Sequence, residues 1–476
     1  MKKSRLLSWI VSVCLLGVSL CMAVEIPGAN GSDGELKDTL NDCANGIYTI
    51  NLGCAATKVW DANPDARGCG VYDPEKWAVV FKYSSVQIDE GCTVKFVNHP
   101  ANPPVYWLVS GNVIINGNVN LDGAHGQDKD DTKADYCSIP GPGGFAGGFR
   151  TEGNGFGPGG GTGKGYGGAG ASFANLGNVR NGYSAANAPG SCYGDDTLIP
   201  LVGGSGGTRG LDNNTFYLYM GGGAGGGAIL IASEGTIILN GAIQARGGRG
   251  GGLQSATYTS GYTSTYGYTL LGGGGSGGAV RILADHLSGT GYIDVGSQKG
   301  TNATMSEEVN RPVRDITASA PGSVGRIRLD VNDYFFLRGD RSTERDQFEH
   351  WETYPSIGDS MTAVLWPEAK VTPLTLGGVS LPTDPRYRSS GYHECISFAN
   401  AGERELVFQT ENIPTNANVV VKVTPRQTSG NATGAYVVPT MDDGGTFARA
   451  TWRAQIPLNG SRTTFQVLVS TTALYE

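Results

Sequence analysis

Residues 235–247 read GTIILNGAIQARG, and residues 111–123 read GNVIINGNVNLDG. The two phrases align without a gap at an offset of 124 residues. Asn-Gly between two apolar runs is the strongest short-range signal for a hairpin. Parity argues against one here. A two-residue loop at Asn240-Gly241 would put Ile237 and Leu239 on one face and Ile243 and Ala245 on the other. Those four are the apolar set, and Val113, Ile115, Val119 and Leu121 repeat it. A β-arc keeps each set together. The chain turns at Asn-Gly into a second sheet, and both strands aim alternate side chains at one interior. Stacked arcs make a β-solenoid, in which successive copies share a core and pair their backbones.

Further copies extend the pattern in both directions. HLSGTGYIDVG places Leu287, Ile293 and Val295 at an offset of 50 from Ile237, Ile243 and Ala245, with Gly289 in place of Leu239. Upstream of the two later copies lie GGGAGGGAILI from 221 and GGGGSGGAVRI from 272, whose Gly-Gly-Ala elements differ by 51, one residue more. GSVGRIRLD from 322 is a shorter echo, and Val86, Ile88, Val94 and Phe96 alternate before the first copy. The competing reading is ordinary alternating strands of a sandwich or barrel.

The residues between the copies are rich in glycine, which fills 16 of the 30 positions from 141 to 170. Glycine costs the most backbone entropy to order. Two readings remain open. The runs are mobile, as Gly/Ser linkers are, or they pack as extended, polyproline-like strands whose lack of Cβ allows close approach. Phe145, Phe149, Phe156, Tyr166 and Phe173 supply anchors for the second. GGGTGKGYGG is not a phosphate-binding loop, because Lys164 is followed by Gly165 where that motif needs Ser or Thr opening a helix.

The first 23 residues read as a secretory signal: Lys2, Lys3 and Arg5, then a short apolar stretch, then Ala23 at a cleavage position. No later stretch is long and apolar enough to predict a transmembrane segment. The net charge is −8, more acidic by three once the leader's cations are gone, and gives no footprint for nucleic acid. Export makes disulfides the default for Cys43, Cys54, Cys69, Cys92, Cys137 and Cys192. Neighbour pairing is favoured, with Cys395 as the spare thiol. Close CxxC spacing for zinc is absent.

In their order along the chain, PVYWLVSGNVIINGNVNLDG, PGPGGFAGG, PLVGGSGG, GGGAGGGAILIA, GGGGSGGAVRI and GSVGRIRLD resemble the glycine-rich exported proteins of several groups of bacteria. Those proteins are regarded as right-handed parallel β-helices of the pectate-lyase-like kind. The resemblance covers about residues 70–335. It implies an exported β-helix and assigns no catalytic residue.

The domain expectation is therefore a signal peptide at 1–23 and a disulfide-containing cap at 24–80. An all-β parallel solenoid with glycine-rich insertions follows at 81–335, then a charged linker at 336–359. A small β-sandwich, immunoglobulin-like by analogy, occupies 360–476. The last rests on short alternating segments such as ELVFQ, VVVKVTP, FARATWRAQIP and TTFQVLVST.

Candidate chemistry is sparse. In DGAHGQDKDDTKAD, Asp128, Asp130 and Asp131 are hard oxygen donors for Ca²⁺, although EF-hand spacing is absent and a hydrated loop competes. Tyr258, Tyr262, Tyr266 and Tyr268 combine an apolar face with a polar tip, suited to sugar rings or a protein partner, or to packing on the solenoid. In-register stacking would put Asn120, Gln244 and Asp294 in one column and Asp122 with Arg246 in the next, where an ion pair outranks a catalytic centre. Arg338-Gly339-Asp340 lies in a charged run and reads as solvated surface. The five histidines show no paired metal spacing. The functional expectation is a secreted, extracellular or cell-surface structural or adhesive protein without catalytic activity or cofactor. Its partners are further copies of itself, as a homo-oligomer or filament, or surface glycans. The alternative is a polysaccharide-binding or polysaccharide-cleaving protein, a lyase or hydrolase.

Overall fold

The computed structural model describes residues 24–37, 43–57, 69–74, 76–128, 137–149, 153–163, 168–179, 187–211, 219–252, 256–259, 265–268, 271–298, 320–336, 355–360, 363, 370–381, 398–400, 402–413, 415–425, 435–458 and 463–470. The expected signal sequence at 1–23 and the tripeptide 338–340 lie outside them.

The described chain is essentially all-β, and its first two large sheets are built on parallel pairing. The first sheet begins with Gly34–Lys37 and Ala78–Ile88. It continues through Val105–Val109 with Val113–Ile115, then Ala228–Ser233 with Thr236–Leu239. Ala279–Gly289, Arg326–Phe336 and Ser356–Gly358 complete it. Six of these strands close into a parallel ring, because Ala78–Ile88 and Ala279–Gly289 each span two shorter strands end to end. The second sheet stacks Ile47–Asn51, Thr93–Val97, Asn118–Asn120, Ala242–Gln244 and Tyr292–Asp294.

The Asn-Gly positions are arcs between these sheets. Ile237 is paired with Val113 and Leu287 in the first sheet, and Ile243 with Val119 and Ile293 in the second. Both isoleucines are buried in one core, so the parity argument selects the arc over the hairpin. The offsets of 124 and 50 hold residue for residue. The 51-residue offset at Ala228–Ala279 returns to 50 at Thr236–His286, because the bend at Ser233–Gly235 holds one residue more than its counterpart. Glycine at the corner is steric: a Cβ on Gly241 would overlap the carbonyl oxygen of Gly117 in the preceding round.

The strands Val105–Val109 and Ala228–Ser233 of the first sheet are buried on both faces. One lines the core shared with the second sheet, where Trp107 meets Tyr83 edge-on with ring centroids 6.0 Å apart. The other is covered by Val24, Ile26, Phe173, Leu198 and Leu201. Two buried faces explain why VYWLV (105–109) and AILIA (228–232) are continuous apolar runs, as parallel strands covered on both sides generally are.

The glycine runs are packed among the described residues. Their backbone bonds recur with a period of three. Gly221, Ala224 and Gly227 donate to the carbonyls of Gln127, Ala124 and Leu121. Gly222 and Gly225 donate to Gly148 and Phe145, and Gly223 and Gly226 to Gly273 and Ser276. Three partners taken in rotation is the signature of a left-handed helix with three residues per turn, the polyproline II form. Such a helix has no internal hydrogen bonds, so every N–H and C=O is available to neighbours. Here the neighbours are other glycine helices, which satisfies buried backbone groups without a sheet. Residues 272–278 repeat the arrangement, with Gly272, Gly275 and Gly278 donating to Gly251, Gly248 and Ala245. A Cβ on Gly225 would overlap the backbone of Gly204, so absence of a side chain, not positive φ, requires glycine there.

Strands of the parallel sheets extend into both regions that the sequence suggested lay outside them, and the cysteine pairing is only partly between neighbours. The region assigned to a cap, 24–80, contributes Gly34–Lys37 and Ile47–Asn51 to the two parallel sheets, with Asn45-Gly46 as another corner before an alternating strand. The expected linker at 336–359 ends in Ser356–Gly358, a further parallel strand beside Arg328–Asp330. Disulfides are Cys54–Cys69, a neighbour pair, and Cys43–Cys92, which encloses it. Corners of successive rounds stack, so cysteines 49 residues apart at equivalent corners meet. Cys137 is buried and Cys192 exposed, and Cys395 lies outside the described residues.

The C-terminal residues form antiparallel sheets. Lys370–Leu376, Gly402–Glu411 and Ala450–Leu458 make one, and Asn418–Pro425 pairs with Ala435–Val437 and Thr463–Ser470 in another. Leu406, Phe408, Val421, Val423, Trp452 and Ile456 from both share one core.

Candidate functional site

The second sheet and the glycine helix that follows it carry the polar column. Gln244 is in register with Asn120 on one side and Asp294 on the other. Two residues on, Arg246 grips Asp122: its backbone N–H donates to Oδ1 at 2.8 Å, and Nε and Nη2 donate to Oδ2 at 3.1 and 2.7 Å. Asp294 approaches the same guanidinium at 3.9 Å. Burial works against the charged guanidinium, yet the Asp122 hydrogen bond and the Asp122 and Asp294 charges hold its pKa above the ordinary value.

The column continues outward along the glycine helix. The Arg249 backbone N–H donates to His125 Nδ1 at 3.3 Å, and its guanidinium pairs with Asp128 at 3.2 Å. Gly252 N–H also donates to Asp128, at 2.8 Å. Burial, then the Arg249 charge, hold the His125 pKa below its ordinary value, more than offsetting Asp122 and Asp128. For Asp128 burial raises the pKa, but hydrogen bonds from Arg249 and Gly252 outweigh it and the net shift is downward. The bonds Thr236 to Asn112, Asn240 to Asn116, Arg246 to Asp122, Arg249 to His125 and Gly252 to Asp128 either span 124 residues or continue that register. The column is thus one continuous seam between two rounds of chain.

Chemically, the seam is committed to holding itself together. Both oxygens of the Asp122 carboxylate are taken up by Arg246. Asp128 is occupied by Arg249 and a backbone N–H, while Asp130 and Asp131 lie outside the described residues. No group of three or more His, Cys, Asp or Glu stands in metal-holding geometry among the described residues. Tyr258 and Tyr266 are directly opposed across an antiparallel ribbon, Ala256–Thr259 with Thr265–Tyr268, and Tyr268 is opposite Ala256. Tyr262 lies outside the described residues.

A second charged cluster escaped sequence reasoning. Arg281 Nη2 and Nε lie 2.7 and 2.8 Å from Asp330 Oδ2, and Arg328 Nε lies 2.7 Å from Oδ1. The Arg281 and Asp330 side chains are only 4% and 2% exposed. The signal was present, since the aligned phrases AVRI and IRLD put both charges on strands otherwise apolar. Reading it required knowing that the sheet's outer face is covered. No family model, curated protein or solved structure matches the chain.

Proposed function

We propose that the protein is an exported β-helix that acts outside the cell, or on its surface, as a structural or adhesive element. We read the parallel stack as a solenoid of the kind expected from the glycine-rich exported proteins it resembles. The in-register offsets support this, and parallel crossovers of this kind are right-handed in nearly all proteins. The C-terminal antiparallel sheets are read as an immunoglobulin-like module, a common spacer or adhesive unit. The observation that carries the functional reading is the commitment of the polar seam. Its carboxylates, imidazole and guanidinia are spent on ties between rounds, as a scaffold requires. Two disulfides near the start of the stack fit an oxidising compartment.

Parallel stacks end in unpaired edges, and such edges template addition of further strands. Ile47, in the terminal strand of the second sheet, and Ile357, in that of the first, are 41% and 46% exposed. Self-association through the ends is therefore part of the proposal. Electron microscopy and sedimentation of the purified, leader-free chain test it. Concentration-dependent oligomers, or adherence of cells or beads bearing the protein, are expected. A strictly monomeric chain with no adherence across salt and calcium would refute it. A cell fraction holding the chain only in the cytoplasm, with reduced cysteines, would refute the export reading.

A further inference from the structure

The second sheet begins with a segment that is pinned at both of its ends. Residues 43–57 run from Cys43 through the Asn45-Gly46 corner, the strand Ile47–Asn51 and the short helical turn Leu52–Thr57. Cys43 is bonded to Cys92, and Cys54 to Cys69. Among the described residues the strand pairs with Thr93–Val97 alone, as the first member of its sheet. The ladder sets Tyr48 beside Val94 and Ile50 beside Phe96, and Ile50, Leu52 and Ala55 are buried at the end of the shared core. Cys92 belongs to the body of the stack, because its carbonyl accepts from Asn118 N–H in the next round at 2.8 Å. Cys43 belongs to the segment, where its carbonyl accepts from Gly46 N–H at 3.1 Å. Residues 43–57 are thus a strap across the amino end of the core, held by one ladder, a few buried apolar side chains and a covalent tie at each end.

The two ties differ in access. Cys43 and Cys92 are 8% and 3% exposed, whereas Cys54 and Cys69 are half-buried. Exchange requires a thiolate to reach one sulfur, so a dithiol meets the Cys54–Cys69 bond first while the Cys43–Cys92 bond is shielded. At each bond the thiolate forms a mixed disulfide and the second thiol of the reductant resolves it. The cystine gains two electrons and two protons, and the reductant leaves as a disulfide. Opening the outer tie lets Leu52 and Ala55 lift, which brings the inner sulfurs within reach. A five-residue terminal ladder then remains, and terminal strands open at the least cost in a sheet. Its departure bares the edge of Thr93–Val97, with Val94 and Phe96 behind it. The segment that fits this edge in register is Ile47–Asn51, and the same segment of another chain fits it equally. We propose that residues 43–57 form a thiol-controlled strap, closed by its two disulfides and, once reduced, exchanged with the same strand of a second copy. Reoxidation by a small disulfide, which takes back the two electrons and two protons, then joins Cys43 of one copy to Cys92 of the other. This rests on the self-association read above and names its regulation at the amino end.

The test uses the complete leader-free chain carrying Cys192→Ser and Cys395→Ser, which leaves Cys137, a buried residue, as the one cysteine outside the two pairs. Stepwise dithiothreitol followed by alkylation should label Cys54 and Cys69 before Cys43 and Cys92. Full reduction should speed amide exchange at 47–51 at least tenfold and leave 105–109 and 228–233 unchanged. Reoxidation of the concentrated chain with oxidised glutathione should yield a dimer whose linked peptides contain Cys43 and Cys92. Cys43→Ser and Cys92→Ser variants of this chain, each confirmed as folded by circular dichroism, are then mixed in a glutathione redox buffer. The mixture should give the same linked dimer at least tenfold above either variant alone. Loss of protection at 105–109 on reduction, opening of the inner pair first, or a mixture that stays monomeric would overturn the proposal. Equal association by oxidised and reduced chains would remove the strap while leaving self-association intact. Absence of both self-association and adherence in every redox state would remove the underlying reading as well.

Discussion

Asn240 Nδ2 donates to Asn116 Oδ1 at 2.8 Å, joining two corners that stand 124 residues apart in sequence. Asn240 Oδ1 in turn accepts, at 3.4 Å, from Thr290 N–H in the following round. One amide side chain therefore spans three rounds at the place where the chain changes sheets.

The two residues of that corner should differ in their tolerance. Asn240→Ala removes exposed hydrogen bonds and should cost about 1 kcal/mol. Gly241→Ala forces a methyl into the Gly117 carbonyl and should cost at least about 3 kcal/mol, since the stacked backbone can relax only by opening the ladder. Urea denaturation of both variants measures the ratio. Equal effects would mean that the corner's fit is not what selects glycine.

Within the bundle, Gly→Ala should reverse its usual sign. In an ordinary element the change often stabilises by about 0.4–1 kcal/mol. At Gly225 the added methyl would meet the Gly204 carbonyl, and at Gly275 the Ala224 carbonyl. Each substitution should destabilise by roughly 2–3 kcal/mol and expose backbone amides of 203–209 and 221–227 together in hydrogen exchange. Unchanged protection would contradict the interlocked packing.

Acid should weaken the seam in two stages. The His125 pKa is lower in the folded chain, so the unfolded chain takes up its proton first, and stability falls as pH drops below the unfolded value near 6.5. Asp128 is also depressed, so its contribution is present above its unfolded value of 3.8 and is lost as pH falls through the lower folded one. His125→Asn keeps an acceptor for Arg249 N–H but cannot titrate. Its melting temperature should lose the slope between pH 7 and 5 and keep the steeper fall below pH 4. An unchanged slope in the variant would assign that stage to another group.

The buried cluster on the first sheet should be asymmetric. Arg281→Met leaves Asp330 with Arg328 alone and should cost about 3 kcal/mol or more, the usual penalty for stripping a partner from a buried charge. Removing the cluster together, as Arg281→Met/Arg328→Met/Asp330→Leu, should recover most of that loss. Thermal melts of the two proteins decide the matter, and a triple variant less stable than the single one would show the ions to be net stabilising.

The arcs were legible because strand parity is a strict, local rule: four apolar residues around Asn-Gly admit one face assignment. The seam was legible in outline, since a conserved offset puts Asp122 beside Arg246 wherever the rounds stack. The glycine runs were not, because sequence carries no side-chain pattern when there are no side chains. Their order lies in which carbonyl each N–H meets, and Gly221, Gly222 and Gly223 look identical while donating to three different segments. The early start of the stack was missed because Ile47–Asn51 sits among cysteines, which suggested a separate cap. The Arg281–Asp330 pair was missed because its face of the sheet is covered by residues such as Phe173 and Leu201, eighty or more residues upstream.

The segment 168–198 is made early by the ribosome but finished late. Phe173 N–H bonds to Ser323 Oγ, Ser323 N–H to Ala171, and Ser356 Oγ to the Asp196 carbonyl, across as many as 160 residues. These contacts form only after the last parallel strands have been made. Closure of the layer over the first sheet's outer face therefore waits on the far end of the parallel stack, however early its residues are made.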